Sequence, residues 1–300
     1  MILPPAVRPG DVVRVVAPSG PAEPVLVWRA LGWLRERYRV RFERGIVART
    51  GYLAGDDARR AGELAAALSE PDVRALLVMR GGYGASRFVH ALDWRALAAG
   101  PRWVVGFSDA TALHVEASRA GVASLHGPNV AALGRADGEA RARFLGALEA
   151  PAGPRCWQGL ETWAPGCAEG PLFGGNLTLL HACAAAGRLR VPVGAVLLLE
   201  DVTEKPYRID RMLTTLAAGG HFAGVCAVVL GDFTDCAAGV DGVSVEAVLR
   251  ERLGALGVPL AAAAPFGHGR RNEAFALGVP ARLEAHARGA RLVMGVPLPS

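Results

Sequence analysis

Short apolar runs alternate with helix-patterned segments through the first half of the chain, and this alternation constrains the fold more than any other feature. Residues 12–16, 40–42, 73–79 and 103–105 have the length and composition of strands. Helical patterns cover 25–37, 56–68, 85–92 and 110–119. Parallel neighbours need crossover connections, and crossover helices cover the sheet they connect. The first half is therefore expected to be an α/β domain built on a parallel sheet with both faces covered.

Near residue 150 the pattern changes. Pro151, Gly153, Pro154, Gly159, Pro165, Gly166 and Gly170 cluster between periodic segments, which reads as a linker over 151–170. The division expected is 1–150 for the first domain and 171–300 for a second, smaller α/β domain. In the latter a helix opens at Gly174-Gly175-Asn176 and runs to about 186. A strand at 196–199 ends on Glu200-Asp201, and a helix at 209–216, a strand at 227–230 and a helix at 244–256 follow. A loop at 265–269 precedes two final strands, at 281–284 and 291–294.

Composition narrows the function classes. Of 300 residues, 51% are hydrophobic, enough for a sizeable core. No unbroken apolar run reaches the roughly 18 residues of a membrane span. The first residues lack a basic region followed by an apolar core, so a cytoplasmic protein is expected. The net charge of +5 is carried almost wholly by scattered arginines, with Lys205 the single lysine. No dense basic run interleaved with aromatics exists, which argues against a nucleic-acid partner. The cysteines are five, an odd number, and none forms a Cys-x-x-Cys pair, unlike a disulfide or zinc framework.

Several segments can carry chemistry. Ser108 lies in Gly106-Phe107-Ser108-Asp109, between a strand and a helix. Such a turn exposes a serine hydroxyl at the carboxyl edge of a sheet, with the next backbone N–H and the helix N-terminus facing a reacting carbonyl. Ala110 stands where a full Gly-x-Ser-x-Gly has its last glycine, and Ser-Asp before a helix is, taken alone, more often a cap. Gly81-Gly82-Tyr83-Gly84 also follows a strand and exposes backbone N–H groups that suit an oxyanion or a phosphate. It does not continue as Gly-x-Gly-x-x-Gly, because Arg87 occupies the last position, and no Walker loop is present, so no cofactor is expected.

Glu200 ends an apolar strand, where ligand crevices of open α/β sheets form. It is placed either to orient a histidine or to pair with Arg208 or Arg211. Glu200, Asp201 and Glu204 are an acidic cluster, but the hydroxyl and amide neighbours of a calcium loop are sparse, so no metal is expected. Among the histidines, His90, His114, His181 and His286 fall inside regular patterns, and His221 in a loop. His126 and His268 sit on glycine-flanked segments that leave an imidazole exposed. A serine, a histidine and a carboxylate with oxyanion donors make a hydrolytic site, and the chain order Ser, Glu, His is permitted.

Taken together these segments resemble the LD-carboxypeptidase family, the serine peptidases that include muramoyltetrapeptide carboxypeptidases and microcin C self-immunity proteins. The resemblance is carried by 16–20 (Val-Ala-Pro-Ser-Gly), 80–87 (Arg-Gly-Gly-Tyr-Gly-Ala-Ser-Arg), 106–111 (Gly-Phe-Ser-Asp-Ala-Thr) and 126–128 (His-Gly-Pro). It continues through 174–177 (Gly-Gly-Asn-Leu), 199–211 and 267–269 (Gly-His-Gly). These pieces keep the family's order over almost the whole chain. Phe107 and Ala110 replace the family's usual Tyr and Ile and keep an apolar packing role.

The resemblance implies a flavodoxin-like first domain, Ser108 as nucleophile, Glu200 as orienting carboxylate and His268 as general base. It also implies an oxyanion hole from the backbone N–H groups of Asp109, Gly81 and Gly82, and a homodimer. The reaction implied is hydrolysis of an L-D amide bond, with release of the terminal D-alanine of recycled murein tetrapeptide. Its variant is cleavage of an aminoacyl-nucleotide antibiotic, for which Trp157 and Trp163 are candidate stacking residues. Capture of a terminal carboxylate calls for a cation or amide, and Arg80, Asn176, Arg208 and Arg211 qualify by chemistry. The reading of a different class is a non-catalytic module in which the glycine loop cradles an anion and Ser108 only caps a helix.

Overall fold

The structure is a computed structural model and describes residues 1–295. It divides into two compact units, Met1–Pro151 with Glu273–Ala276, and Ala152–Asn272 with the chain from Leu277 onward.

The first unit contains strands β1 (Val12–Val16), β2 (Arg39–Arg41), β3 (Val73–Val78), β4 (Trp103–Gly106) and β5 (Ser124–His126). Its helices are α1 (Pro24–Arg35), α2 (Asp57–Ser69), α3 (Arg95–Ala99), α4 (Thr111–Arg119), α5 (Val130–Leu133) and α6 (Gly138–Glu149). Local chemistry starts these helices where they start. Pro24 opens α1, and Asp56 and Asp137 cap α2 and α6 by accepting the Arg59 and Ala140 amides. Strands β2-β1-β3-β4-β5 run parallel in that spatial order, as the βαβ pattern requires. Helix α2 packs on β1 and β3, and α4 on β4 and β5. Because β3 and β4 are parallel neighbours, with Leu77 opposite Val105, the loops leaving them emerge at one edge of the sheet.

Residues 85–92 form two single 3-10 turns, Ala85–Arg87 and Val89–Ala91, rather than the helix expected. The Val89 carbonyl accepts from both the Leu92 amide and the Trp94 indole, which closes the second turn early.

The second unit contains β6 (Arg155–Ala164), β7 (Gly166–Asn176), α7 (Leu177–Ala185), β8 (Val196–Val202), α8 (Pro206–Ala218), β9 (Ala227–Thr234), α9 (Val245–Gly254) and β10 (Leu260–Ala262). After β11 (Phe275–Leu277), which joins the first unit's sheet beside β5, come β12 (Pro280–His286) and β13 (Gly289–Met294). The strands of the second unit close into a barrel in the order β10-β6-β13-β12-β7-β8-β9. Strands β7, β8, β9 and β10 are parallel, and the remaining pairs are antiparallel.

The expected linker over 151–170 is therefore corrected: most of it is strand, the whole of β6 and the start of β7. Its glycines serve close approach rather than flexibility. Gly170 lies against the Gly194 carbonyl, where a Cβ would overlap, and Gly166 (φ +145°) packs on Pro259 at the β6–β7 corner.

Candidate active-site residues

In the first unit the chain leaves β4 and turns at once through a 3-10 segment, Ser108–Ala110, into α4. Ser108 has φ of 63°, the left-handed region that side-chain-bearing residues seldom adopt, and it is partly exposed. Holding a non-glycine residue there costs about 1–3 kcal/mol, a strain characteristic of functional turns. The neighbours enforce it. A Cβ on Gly106 would come within 2.9 Å of Val78, Ala110 and Asn129, and Asn129 Oδ1 accepts the Phe107 amide at 3.2 Å. His114 Nε2 meets the Gly106 carbonyl at 2.8 Å and its Nδ1 meets Ser124 Oγ at 2.9 Å, so this buried histidine is tied into the turn. Neither Ser108 nor Asp109 caps α4 with its side chain, which removes the plain helix-cap arrangement.

The glycine loop after β3 presses on this turn. A Cβ on Gly81 would lie 2.8 Å from Ser108 Cβ, 2.9 Å from its Oγ and 3.4 Å from the Asp109 amide nitrogen. Only glycine permits that approach. Gly82 (φ +93°) and Gly84 (φ +139°) give the loop its turn. The Asp109 side chain is fully buried, and its Oδ2 accepts the Ala85 amide at 2.8 Å. Burial pushes its carboxyl above the ordinary range, opposed by the Ala85 and Gly84 amides and by the charge of Arg60. Arg60, equally buried, donates to the Pro18 and Gly55 carbonyls and lies over the Phe88 ring. Sequence reasoning gave Asp109 a backbone N–H or a helix-cap role and missed Arg60; an arginine inside an alanine-rich helix gives no sign that it is buried.

In the second unit, Glu200 stands at the carboxyl end of β8 and is fully buried. Its Oε2 lies 2.7 Å from His268 Nδ1, and the His268 side chain is 19% exposed. Of the alternatives open for Glu200, the histidine is the partner. Burial pushes the Glu200 carboxyl up and the hydrogen bond from His268 opposes this. Burial pulls the imidazole down, but the Glu200 hydrogen bond and the charges of Glu200, Asp201 and Asp232 outweigh it and leave His268 above its ordinary value. The two glycines beside His268 are needed: Gly267 has φ +120° and a Cβ there would come within 3.1 Å of Glu200 Cβ, and a Cβ on Gly269 would overlap Asp232.

The acidic cluster is divided among separate tasks. Asp201 accepts from Asn176 Nδ2 at 3.0 Å and from the Thr178 amide and hydroxyl at 2.9 and 2.8 Å, while Glu204 pairs with Arg208 at 3.4 Å. Asn176, a candidate for carboxylate capture, is buried; its Oδ1 caps α7 at Leu179, and its side chain also helps to lower the pKa of the Glu200 carboxyl. Arg208 is engaged by Glu204, and Arg211 lies over the Tyr207 ring, both on the exposed face of α8. Arg80 is exposed and donates to the Pro21 carbonyl at 2.6 Å beside the Gly81 loop. His126, expected on an exposed segment, is instead fully buried in β5 and stacked on Phe275 at 4.8 Å.

Comparison with known proteins matches residues 13–127 to the LD-carboxypeptidase N-terminal domain and 169–283 to the LD-carboxypeptidase C-terminal domain. A murein tetrapeptide carboxypeptidase of Pseudomonas aeruginosa is 37% identical over 81% of this chain and 83% of its own. A muramoyltetrapeptide carboxypeptidase from Oxalobacter formigenes, 28% identical, superposes with a TM-score of 0.84 over 96% of this chain and all of that one. The microcin C7 self immunity protein MccF in complex with aspartyl sulfamoyl adenosine shares the fold with a TM-score of 0.87 at 20% identity, covering both chains fully.

Proposed function

The chain belongs to the LD-carboxypeptidase family of serine peptidases, and from that premise we propose that it hydrolyses an L-D amide bond through Ser108, His268 and Glu200. The observation that carries the reading is the 2.7 Å contact between Glu200 Oε2 and His268 Nδ1. With Nδ1–H donating to the carboxylate, the Nε2 lone pair is the one left to take a proton.

The reaction runs in two halves. Ser108 Oγ attacks the scissile carbonyl carbon and its proton passes to His268 Nε2. The oxyanion is held by the backbone N–H groups of Asp109, Gly81 and Gly82. The imidazolium then protonates the leaving amine, the C–N bond breaks, and the terminal D-amino acid departs from an acyl-serine. Water attacks this ester and gives a proton to His268, which returns it to Ser108 Oγ as the C–O bond breaks and the acid product leaves. Glu200 keeps the imidazole in the productive tautomer and stabilises its charged form. Arg80 is the preferred partner for the substrate's terminal carboxylate, because it is exposed beside the Gly81 loop and its bond to the Pro21 carbonyl uses only Nη1 of its guanidinium.

The substrate proposed is murein tetrapeptide, cleaved in the cytoplasm to release D-alanine during cell-wall recycling by a homodimeric enzyme. The P. aeruginosa relative's name supports this choice. The strand order β2-β1-β3-β4-β5 supports a flavodoxin-like first unit, with ligands outside the carboxyl ends of the strands. Among the described residues no helix is long and apolar enough to cross a membrane.

Release of D-alanine from the tetrapeptide, measured beside cleavage of an aminoacyl-nucleotide, separates the two substrates. A serine-reactive phosphonate is expected to label Ser108, with labelling lost in Ser108→Ala and strongly slowed in His268→Ala. A wild-type protein that takes no label at Ser108 and whose ligand binding and activity are unchanged in Ser108→Ala would sink the proposal and leave the non-catalytic anion- or peptide-binding module.

A further inference from the structure

We propose that Asp232 is a positioning residue for His268, anchoring its loop and presenting a further carboxylate to the imidazole. This rests on His268 being the general base.

Strands β8 and β9 are parallel neighbours, and their register slips between Leu199 and Asp201. The irregularity sets Glu200 on β8 and Asp232 on β9 beneath the same loop, Gly267-His268-Gly269. Two hydrogen bonds hold the loop to β9, and one glycine lets it lie close. The Asp232 amide donates to the Phe266 carbonyl at 2.9 Å, the Asp232 carboxylate accepts the Gly269 amide, and a Cβ on Gly267 would come within 3.3 Å of Asp232 Cβ. Gly231 lies against the Phe266 carbonyl, where any Cβ would overlap. The loop is thus seated on 231–232 on both sides of His268. Glu200 takes Nδ1 directly, but Glu200 alone does not fix the backbone that carries the ring.

Among the described residues, the charged groups that act most on His268 within this unit include Glu200 and Asp201 from β8 and Asp232 from β9, and its own loop continues into exposed Arg270 and Arg271. All three carboxylates favour the imidazolium; Glu200 bonds the ring, and Asp232 bonds the backbone that carries it.

Asp232→Asn keeps an oxygen for the Gly269 amide and removes the charge. Its expected effect is a His268 titration, followed by NMR and assigned with His268→Gln, displaced downward by about half a unit. The acid limb of kcat/KM should move to lower pH by the same amount, since the neutral imidazole is the active form. Asp232→Ala also removes the anchor; it should lower kcat by 10-fold or more, with KM changed less than about twofold, because a displaced base costs turnover rather than binding. An unmoved His268 titration in Asp232→Asn, or wild-type kcat in Asp232→Ala, overturns the assignment. A wild-type protein that hydrolyses no peptide defeats the proposed function, while the NMR titration still decides the role of Asp232.

Discussion

His268 Nδ1 meets Glu200 Oε2 at 2.7 Å across 68 residues of chain, and the carboxylate that receives it has no exposed surface. A buried carboxylate with one charge-assisted donor dictates which imidazole nitrogen carries the proton. Glu200→Gln offers an amide in its place, which can hold the ring in the wrong tautomer. The expected loss in kcat is on the order of 10⁴-fold by analogy with serine triads. His268 also loses the largest influence that raises its pKa, so any residual activity should have its acid limb at lower pH. Steady-state release of the terminal amino acid across pH checks both.

Gly81→Ala tests the oxyanion side. The new methyl would sit 2.8 Å from Ser108 Cβ and 2.9 Å from Oγ, inside contact distance. Ser108 or the loop must shift, and displacement of a reacting group by about 1 Å costs on the order of 10²-fold in rate. Phosphonate labelling of Ser108 should slow accordingly. An unchanged labelling rate refutes the close approach.

Asp109 ties the Ser108 turn to the glycine loop, because its backbone follows Ser108 and its Oδ2 accepts the Ala85 amide of that loop at 2.8 Å. Asp109→Ala leaves that amide without its partner, at a cost of about 1–3 kcal/mol in stability. It also loosens the loop, and kcat is expected to fall on the order of 10²-fold. Asp109→Asn keeps an acceptor oxygen and should recover much of both. Denaturant unfolding beside kinetics measures the pair, and equal losses in the two variants would contradict the tether.

The parts of this architecture that were legible in the sequence are those with local signatures. Strands β1, β3 and β4 are continuous apolar runs, and α2 declares itself through the Asp56 cap and its alanines. The barrel was hidden for a physical reason. Gly166 and Gly170 look like flexible punctuation, yet each is a point where another segment comes too close for a side chain. Glycine used for close approach and glycine used for a turn are the same letter. The His268 loop was recognised by its flanking glycines, whereas Asp232, the reason a glycine is required at 269, is one aspartate among many at a strand end. Arg60 and Asn129 were illegible likewise: Arg60 reaches the Pro18 carbonyl and Asn129 the Phe107 amide, backbone groups distant in sequence that no local pattern announces.

His114 supplies a prediction about stability rather than turnover. It is buried between Ser124 and the Gly106 carbonyl, and burial lowers its pKa to about 4. The unfolded chain takes up this proton near pH 6.5 and the folded protein does not until far lower. The neutral ring's contribution is therefore fully present above about pH 6.5 and is lost as pH falls toward 4, amounting to about 3 kcal/mol over that window. His114→Gln removes the titration while keeping a group that bonds at both ends. Buried Glu63, Asp109, Glu200 and Asp201 have raised pKa values and work in the opposite sense, so the wild-type profile alone mixes the two. The difference between wild type and His114→Gln isolates the histidine: denaturant unfolding should show the wild type losing stability relative to the variant between pH 6.5 and 4. A difference that stays constant across that range would mean that His114 is charged in the fold.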